Sequence, residues 1–262
     1  MGRNAKAVNL ALQGGGAHGA FTWGVLDRVL EDERLEIAAI SGTSAGAMNA
    51  VAVANGITRA GPEGARQALH DFWLAMSRAA LFSPARRTPI DLIMGNWSLD
   101  RSPGYHMLDA LTRLASPYQL NPMNLNPVRD VLEASIDFAE VRACTAFKLF
   151  VSATNVETGR VKVFPHERLT ADMVMASACL PHLHQAVEID GVPYWDGGYM
   201  GNPALFPFHG RTGTDDTVVV QINPIERKGG PKTPQEIQNR LNEISFNGSL
   251  LKELRAIDFV DR

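Results

Sequence analysis

The stretch Glu36-Ile37-Ala38-Ala39-Ile40-Ser41-Gly42-Thr43-Ser44-Ala45-Gly46-Ala47-Met48-Asn49-Ala50 decides the fold. It opens as a short apolar strand, Glu36 to Ile40, that Gly42 ends. A helix of small residues follows from Ser44 to Asn55, apolar nearly all round, which puts it deep in the protein. Upstream, Val8 to Leu12 reads as a buried strand that stops at Gly14-Gly15-Gly16. From His18 to Leu30 the apolar residues Phe21, Val25, Leu26, Val29 and Leu30 recur at helical spacing. Strand, helix, strand, helix is a βαβα start, and it favours a parallel sheet with right-handed crossovers.

The pattern then loosens. Six prolines lie from Pro84 to Pro127. Short helices are expected at Gln67–Ala80, Tyr105–Ala115 and Val128–Phe138, with residues 83–127 either a cap over a site or an irregular surface connection. Regular structure returns with strands at Lys148–Ala153 and Arg160–Phe164, joined by a turn at Glu157-Thr158-Gly159. Ala171–Cys179 reads as a helix stopped by Pro181. Ala186–Ile189 and Val192–Trp195 flank Asp190-Gly191, a hairpin signal. Thr217–Ile222 is expected to be another buried strand. From Pro234 onward the chain reads as an amphipathic helix. It stops at Val260-Asp261-Arg262 without a cap, so the natural chain is expected to continue. The 262 residues are expected to form a single domain.

Composition narrows the function. Hydrophobic residues make up 45% and charged residues 20%, a globular mix, and the net charge is −3. A nucleic-acid binder needs a basic footprint, which the whole chain does not offer. The two cysteines, Cys144 and Cys179, have no Cys-x-x-Cys spacing, so neither a zinc site nor a disulfide framework is expected. Cys179 reads as a small core residue. No metal and no cofactor is expected. The apolar run Val8–Leu12 is too short for a signal-peptide core of ~7–15 residues. No apolar run approaches the ~20 residues that span a bilayer. The expectation is a soluble, cytoplasmic protein of unspecified oligomeric state, with peripheral membrane contact left open.

Gly42-Thr43-Ser44-Ala45-Gly46 is a Gly-x-Ser-x-Gly pentapeptide between a strand and a helix, the setting a nucleophile elbow requires. The tight turn strains the serine and presents its hydroxyl at a helix N-terminus, where the dipole favours a developing anion. Small residues at Gly42 and Gly46 let strand and helix approach. The bland alternative is a glycine-rich turn with a serine N-cap.

Gly14-Gly15-Gly16-Ala17-His18-Gly19 has two readings. It matches the dinucleotide fingerprint Gly-x-Gly-x-x-Gly, which also needs an acidic residue at the end of the second strand. That strand ends Ala39-Ile40-Ser41, and Glu36 sits at its wrong end. The second reading is an oxyanion hole, with backbone N–H groups of Gly14, Gly15, Gly16 and Ala45 aimed at the oxygen that becomes charged. If the two strands are neighbours, both loops open on the same carboxyl edge of the sheet. The serine needs a base. Asp196, in Trp195-Asp196-Gly197-Gly198, is a candidate that would take the proton directly, although Asp-Gly-Gly is also an ordinary turn.

In this order the Gly14–Gly19 loop, the Ser44 pentapeptide and Asp196-Gly197-Gly198 resemble the patatin-like phospholipases. The blocks Ala176-Ser177-Ala178-Cys179-Leu180-Pro181 and Asp190 to Pro203 resemble that family too, so the likeness runs from about Val8 to Asn223. The resemblance implies a three-layer αβα sandwich with a mostly parallel central sheet. It implies a Ser–Asp dyad, with Ser44 as nucleophile and Asp196 as base, and metal-free hydrolysis of phospholipid, lysophospholipid or other long-chain acyl esters. Gly19, Gly42, Gly46, Gly197 and Gly198 support that site. One departure is His18, where the family has Arg or Lys; an imidazole there gives a weaker, pH-dependent field at the oxyanion loop.

Other residues compete for roles. His182 and His184 lie near the third block and His209 follows Asp196, but no catalytic pattern surrounds them. Trp73, Phe82, Leu92, Ile93, Met94 and Trp97 are candidates for an acyl groove or a membrane-facing cap, and Arg86-Arg87 for head-group contact. Two rival functions stand. An acyltransferase of related fold would need a histidine partner. A lipid-binding module without catalysis would keep the fold and tend to lose a motif.

Overall fold

The computed structural model describes residues 5–81, 83, 85, 86, 91, 93, 94, 99 and 102–260. Its sheet has seven strands: β1 (Lys6–Leu12), β2 (Leu35–Thr43), β3 (Lys148–Asn155), β4 (Val161–Pro165), β5 (Val187–Ile189), β6 (Val192–Asp196) and β7 (Thr217–Val220). The order is β5-β6-β3-β2-β1-β7, with β4 also pairing to β3. The pairings β7/β1, β1/β2 and β2/β3 are parallel, and those of β3 with β4 and β6 are antiparallel. The sheet is therefore parallel at its core, as expected, and antiparallel on one flank.

Strand alternation divides the interior into two layers. Leu10, Leu12, Ile40, Leu149 and Val151 face one side, with Leu26, Leu69 and Phe72 packed on them. These come from α1 (Gly19–Glu31) and α2 (Ala45–Ala80). Ala11, Ala39 and Phe150 face the other side, against Leu205, Phe208 and Leu250. Each fully buried Leu, Ile or Phe contributes about 1.5–3 kcal/mol over leaving it in water, so the first layer carries most of the stability. The first half of α2 is buried all round from Ala45 to Gly56, as its small residues require. Gly61, at φ 66°, and Pro62 then break the helix and turn its second half onto α1.

Shorter helices follow: α3 (Pro103–Leu114), α4 (Pro117–Leu120), and then α5 (Pro127–Ser135), α6 (Phe138–Ala143) and α7 (Ala171–Ser177), which complete the first layer through Leu132, Val141 and Val174. The expected helix Val128–Phe138 is two helices. Ile136 and Asp137 are extended, and the Asp137 carboxylate caps the second by accepting the Ala139 N–H at 2.9 Å. The Asp190-Gly191 hairpin forms as expected, with both residues at positive φ. The expected cap over 83–127 falls partly outside the described residues.

Two expectations are corrected. Among the described residues β7 is an edge strand bonded only to β1, and Val218 is 42% exposed; a β-branched run does not reveal how many neighbours a strand will find. The last helix, α8 (Pro234–Val260), turns a largely polar stripe inward: Glu243, Asn247 and Leu250. Ile237, Leu241 and Ile244 are exposed. Glu243 is held by Arg227 at 2.6 Å and Arg240 at 3.0 Å, and the Glu253 carboxylate accepts the Leu205 and Phe206 N–H groups. Polar bonds therefore dock this helix. No helix among the described residues is long and apolar enough to cross a membrane.

Candidate active site

Parallel register brings two loops to one edge. Leu12 pairs with Gly42, so the Gly14 loop leaves β1 where Ser44 leaves β2. Thr43 pairs with Ser152 of β3, and the next residue, Ala153, pairs with Asp196 at the end of β6. Ser44 and Asp196 thus meet across the top of three adjacent strands.

Ser44 has φ 53° and ψ −120°, a conformation side chains rarely adopt. Such strain costs about 1–3 kcal/mol and persists only where the surroundings enforce it. Here they do. A Cβ on Gly46 would lie 2.2 Å from the Leu12 carbonyl oxygen, and one on Gly42 would lie 2.7 Å from the Gly46 oxygen, so only glycines let the strands and α2 close on the turn. The Ser44 N–H donates to Ser177 Oγ at 2.8 Å, which holds the elbow from α7. Ser44 is 8% exposed.

The Asp196 carboxyl faces the Ser44 hydroxyl, which is one of the two polar groups that draw its ionisation down. Asp196 is buried, and its Oδ1 accepts the Gly198 N–H at 2.7 Å. Burial pushes the carboxyl up to about 7, against the opposing pull of the Gly198 N–H and the Ser44 hydroxyl. A carboxyl poised near neutrality is suited to accept and return a proton at physiological pH. Its backbone is fixed as well: the N–H donates to the Cys179 carbonyl at 2.8 Å, and the carbonyl accepts Thr154 Oγ1 at 2.8 Å. Gly197 lies under Ser152, and Gly198 lies under the Phe246 ring of α8, which packs on Tyr199 with ring centres 5.2 Å apart.

The Gly14 loop lies against the same serine. A Cβ on Gly14 would sit 2.7 Å from Ser44 Cβ. Gly15 packs on Ile222, and Gly19 lies against Ala45 and Trp73. One expectation changes. The Gly14 N–H donates to Asn202 Oδ1 at 2.7 Å, so that donor is taken and does not face a substrate oxygen. Gly15, Gly16 and Ala45 carry the remaining expected donors. His18 is exposed, and its Nδ1 lies 3.2 Å from the Gly15 carbonyl oxygen, on the same peptide group whose N–H belongs to Gly16.

Other candidates lie elsewhere. His184 is partly buried, which holds its imidazole below its ordinary range, and its Nδ1 lies 3.5 Å from Asn126 Nδ2. His182 and His209 are exposed, and none of the three hydrogen-bonds to Ser44 or Asp196. Trp73 donates to Asn49 Oδ1 at 2.8 Å and packs within the helical layer. Ile93 and Met94 are exposed, and Arg86 donates to the Leu81 carbonyl. Phe82, Leu92, Trp97 and Arg87 lie outside the described residues. Cys179 is buried, and desolvation pushes its thiol up to about 12. Among the described residues no cluster of His, Cys, Asp and Glu is arranged to hold a metal ion. Sequence reasoning gave no role to Ser177, Asn202, Asn223 or Asn247; the first two lie inside the blocks that carried the resemblance, and the others gave no signal.

Comparison with known proteins adds the following. The sequence model of the family described as Patatin-like phospholipase matches residues 10–209. Among solved structures, VipD from Legionella pneumophila is 17% identical, with a TM-score of 0.40, over 73% of this chain and 46% of its own. The type III effector protein ExoU is 16% identical, with a TM-score of 0.32, over 95% and 54%. The ExoU–SpcU heterodimer from the type III secretion system of Pseudomonas aeruginosa is 18% identical, with a TM-score of 0.30, over 96% and 52%. The chain spans about half the length of these matched chains. Among curated proteins none matches the chain significantly.

Proposed function

This chain belongs to the patatin-like phospholipase family, and from that premise we propose that it hydrolyses long-chain carboxylic esters, phospholipid or lysophospholipid, through a Ser44–Asp196 dyad. The observation that carries the reading is the juxtaposition of a strained Ser44 and a buried carboxyl raised to about 7. Asp196 takes the hydroxyl proton as Ser44 Oγ bonds to the ester carbonyl carbon. The carbonyl oxygen becomes an anion held by the N–H groups of Gly15, Gly16 and Ala45. Collapse breaks the ester bond, and the proton on Asp196 goes to the departing alkoxide. Water then attacks the acyl-serine, Asp196 takes its proton and returns it to Ser44 Oγ, and the fatty acid leaves.

Two further features support a lipid substrate over a soluble acyl donor. Met107, Leu111 and Leu114 recur on one side of α3, a helix with no buried residue, and all three are exposed. Met123 and Leu125 are exposed as well. An acyltransferase would need a histidine on the serine, and neither His184 nor His209 bonds to it.

Fluorophosphonate labelling of the full chain, with the adduct located by peptide mass spectrometry, tests the reading. An adduct on Ser44 that Asp196→Asn abolishes is expected. No adduct in buffer or in detergent overturns it and leaves lipid binding without catalysis.

A further inference from the structure

Gly14 has no side chain, yet both of its polar backbone groups are held by carboxamides. Its N–H donates to Asn202 Oδ1 at 2.7 Å, and its carbonyl accepts Asn223 Nδ2 at 2.9 Å. Each amide is itself anchored. Asn202, fully buried, donates through Nδ2 to the Phe246 carbonyl at 3.1 Å and through its backbone N–H to Ser249 Oγ at 3.2 Å. The Asn223 N–H donates to Gln13 Oε1 at 2.8 Å, as does that of Ile222. Gln13 Nε2 donates to Asn247 Oδ1 at 2.8 Å, and Asn247 Nδ2 returns to the Asn223 and Pro224 carbonyls. Three distant parts of the chain, the loop after Asp196, the exit of β7 and the inward stripe of α8, therefore converge on one glycine.

We propose that Asn202 and Asn223 are positioning residues of the hydrolytic site: by clamping both sides of Gly14 they aim the Gly15 and Gly16 N–H groups at the reacting carbonyl oxygen. The inference rests on the hydrolase reading above. Its physical ground is the cost of a loose donor. A run of three glycines has more backbone freedom than any other tripeptide, and fixing each residue costs about 1–2 kcal/mol of conformational entropy. Oxyanion donors work because they are fixed before the charge appears. Gly14 is the point where the loop leaves β1; the peptide group that Asn223 holds carries the Gly15 N–H itself, and fixing it sets the direction of the next, which carries the Gly16 N–H. Carboxamides suit this task because each supplies a donor and an acceptor and neither titrates. The clamp is thus independent of pH, whereas the proton acceptor Asp196 is not.

That difference makes the test. Asn223 is half-buried, so its removal leaves the Gly14 carbonyl within reach of water and the fold intact. Asn223→Ala, and Asn223→Leu as the uncharged variant that keeps the bulk and loses the donor, are compared with the wild-type full chain on p-nitrophenyl butyrate from pH 5 to 9. A misaimed oxyanion loop lowers kcat by about 10²-fold. KM and the acid limb of the pH profile stay where the wild type has them. Affinity for an alkyl trifluoromethyl ketone, whose serine adduct carries the oxyanion, falls by the same factor. Unchanged kcat in a folded variant overturns the inference. So does a shift of the acid limb, which would route the effect through Asp196. If the wild type neither labels at Ser44 nor turns over ester, the hydrolase reading fails and this inference falls with it. If the wild type does both and Asn223→Ala matches it, the clamp alone is wrong.

Discussion

Ser44 on β2–α2 and Asp196 at the end of β6 face each other, a hydroxyl on a turn at positive φ and a carboxyl cut off from water. Neither condition is comfortable for the fold, and each leaves a measurable trace.

The first trace is in the pH–rate profile. Asp196 must be ionised to accept the serine proton, and burial places its ionisation at about 7. kcat/KM is expected to rise with pH through about 7 and then level off. The same limb is expected in His18→Arg. The His18 Nδ1 lies against the Gly15 carbonyl, and the carboxyl that titrates is elsewhere. A limb that disappears in His18→Arg would return the pH dependence to the oxyanion loop.

Stability should follow the same carboxyl in the opposite sense. Its folded value lies above the ~4 of an unfolded aspartate, so the fold binds the proton more tightly than the open chain does. The stabilisation is present in acid and is lost as pH rises from ~4 through about 7. Asp196→Asn removes that slope. Urea titrations are expected to show the variant gaining on the wild type between pH 5 and 8. Parallel curves would show that the carboxyl is not buried in solution.

Gly198→Ala tests the contact between the dyad loop and α8. The added Cβ would lie 2.2 Å from the Phe246 ring. Overpacking of this kind costs about 1–3 kcal/mol, and shortening Phe246 to Leu should return part of it. Thermal melts of the two single variants and the double variant measure the coupling. Additive losses would mean that the ring does not rest on Gly198.

Ser177→Ala leaves the Ser44 N–H without its acceptor in a closed site. An unpaired buried donor costs about 1–3 kcal/mol. The elbow loses a tether as well, so fluorophosphonate labelling of Ser44 is expected to slow while the fold survives. Labelling at the wild-type rate would show that Ser177 only fills space.

Much of this was legible in local sequence. Gly42 and Gly46 announce a backbone crossing, and the crossing is there, under a serine at φ 53°. The alternation Leu10-Ala11-Leu12 foretells a sheet buried on two faces. What stayed hidden depends on long-range closure. Thr217–Ile222 looks like a buried strand until the topology leaves it at the edge of the sheet. Asn202 and Asn223 look like loop residues, because nothing in their own neighbourhood says that both will reach Gly14. The polar stripe of α8 breaks the usual pattern because its docking partners are amide and charged groups of loops.

That last helix bears on when the protein becomes active. Chains leave the ribosome N-terminus first and fold as they emerge. A nascent chain released as far as Asp196 already holds both members of the dyad, but it has neither Asn247 to seat Gln13 nor Phe246 to cover Gly198. The loop that must grip the substrate oxygen has no seat until α8 docks. On the proposed hydrolase reading, synthesis itself then acts as a timer, and ester turnover waits until α8 is in place.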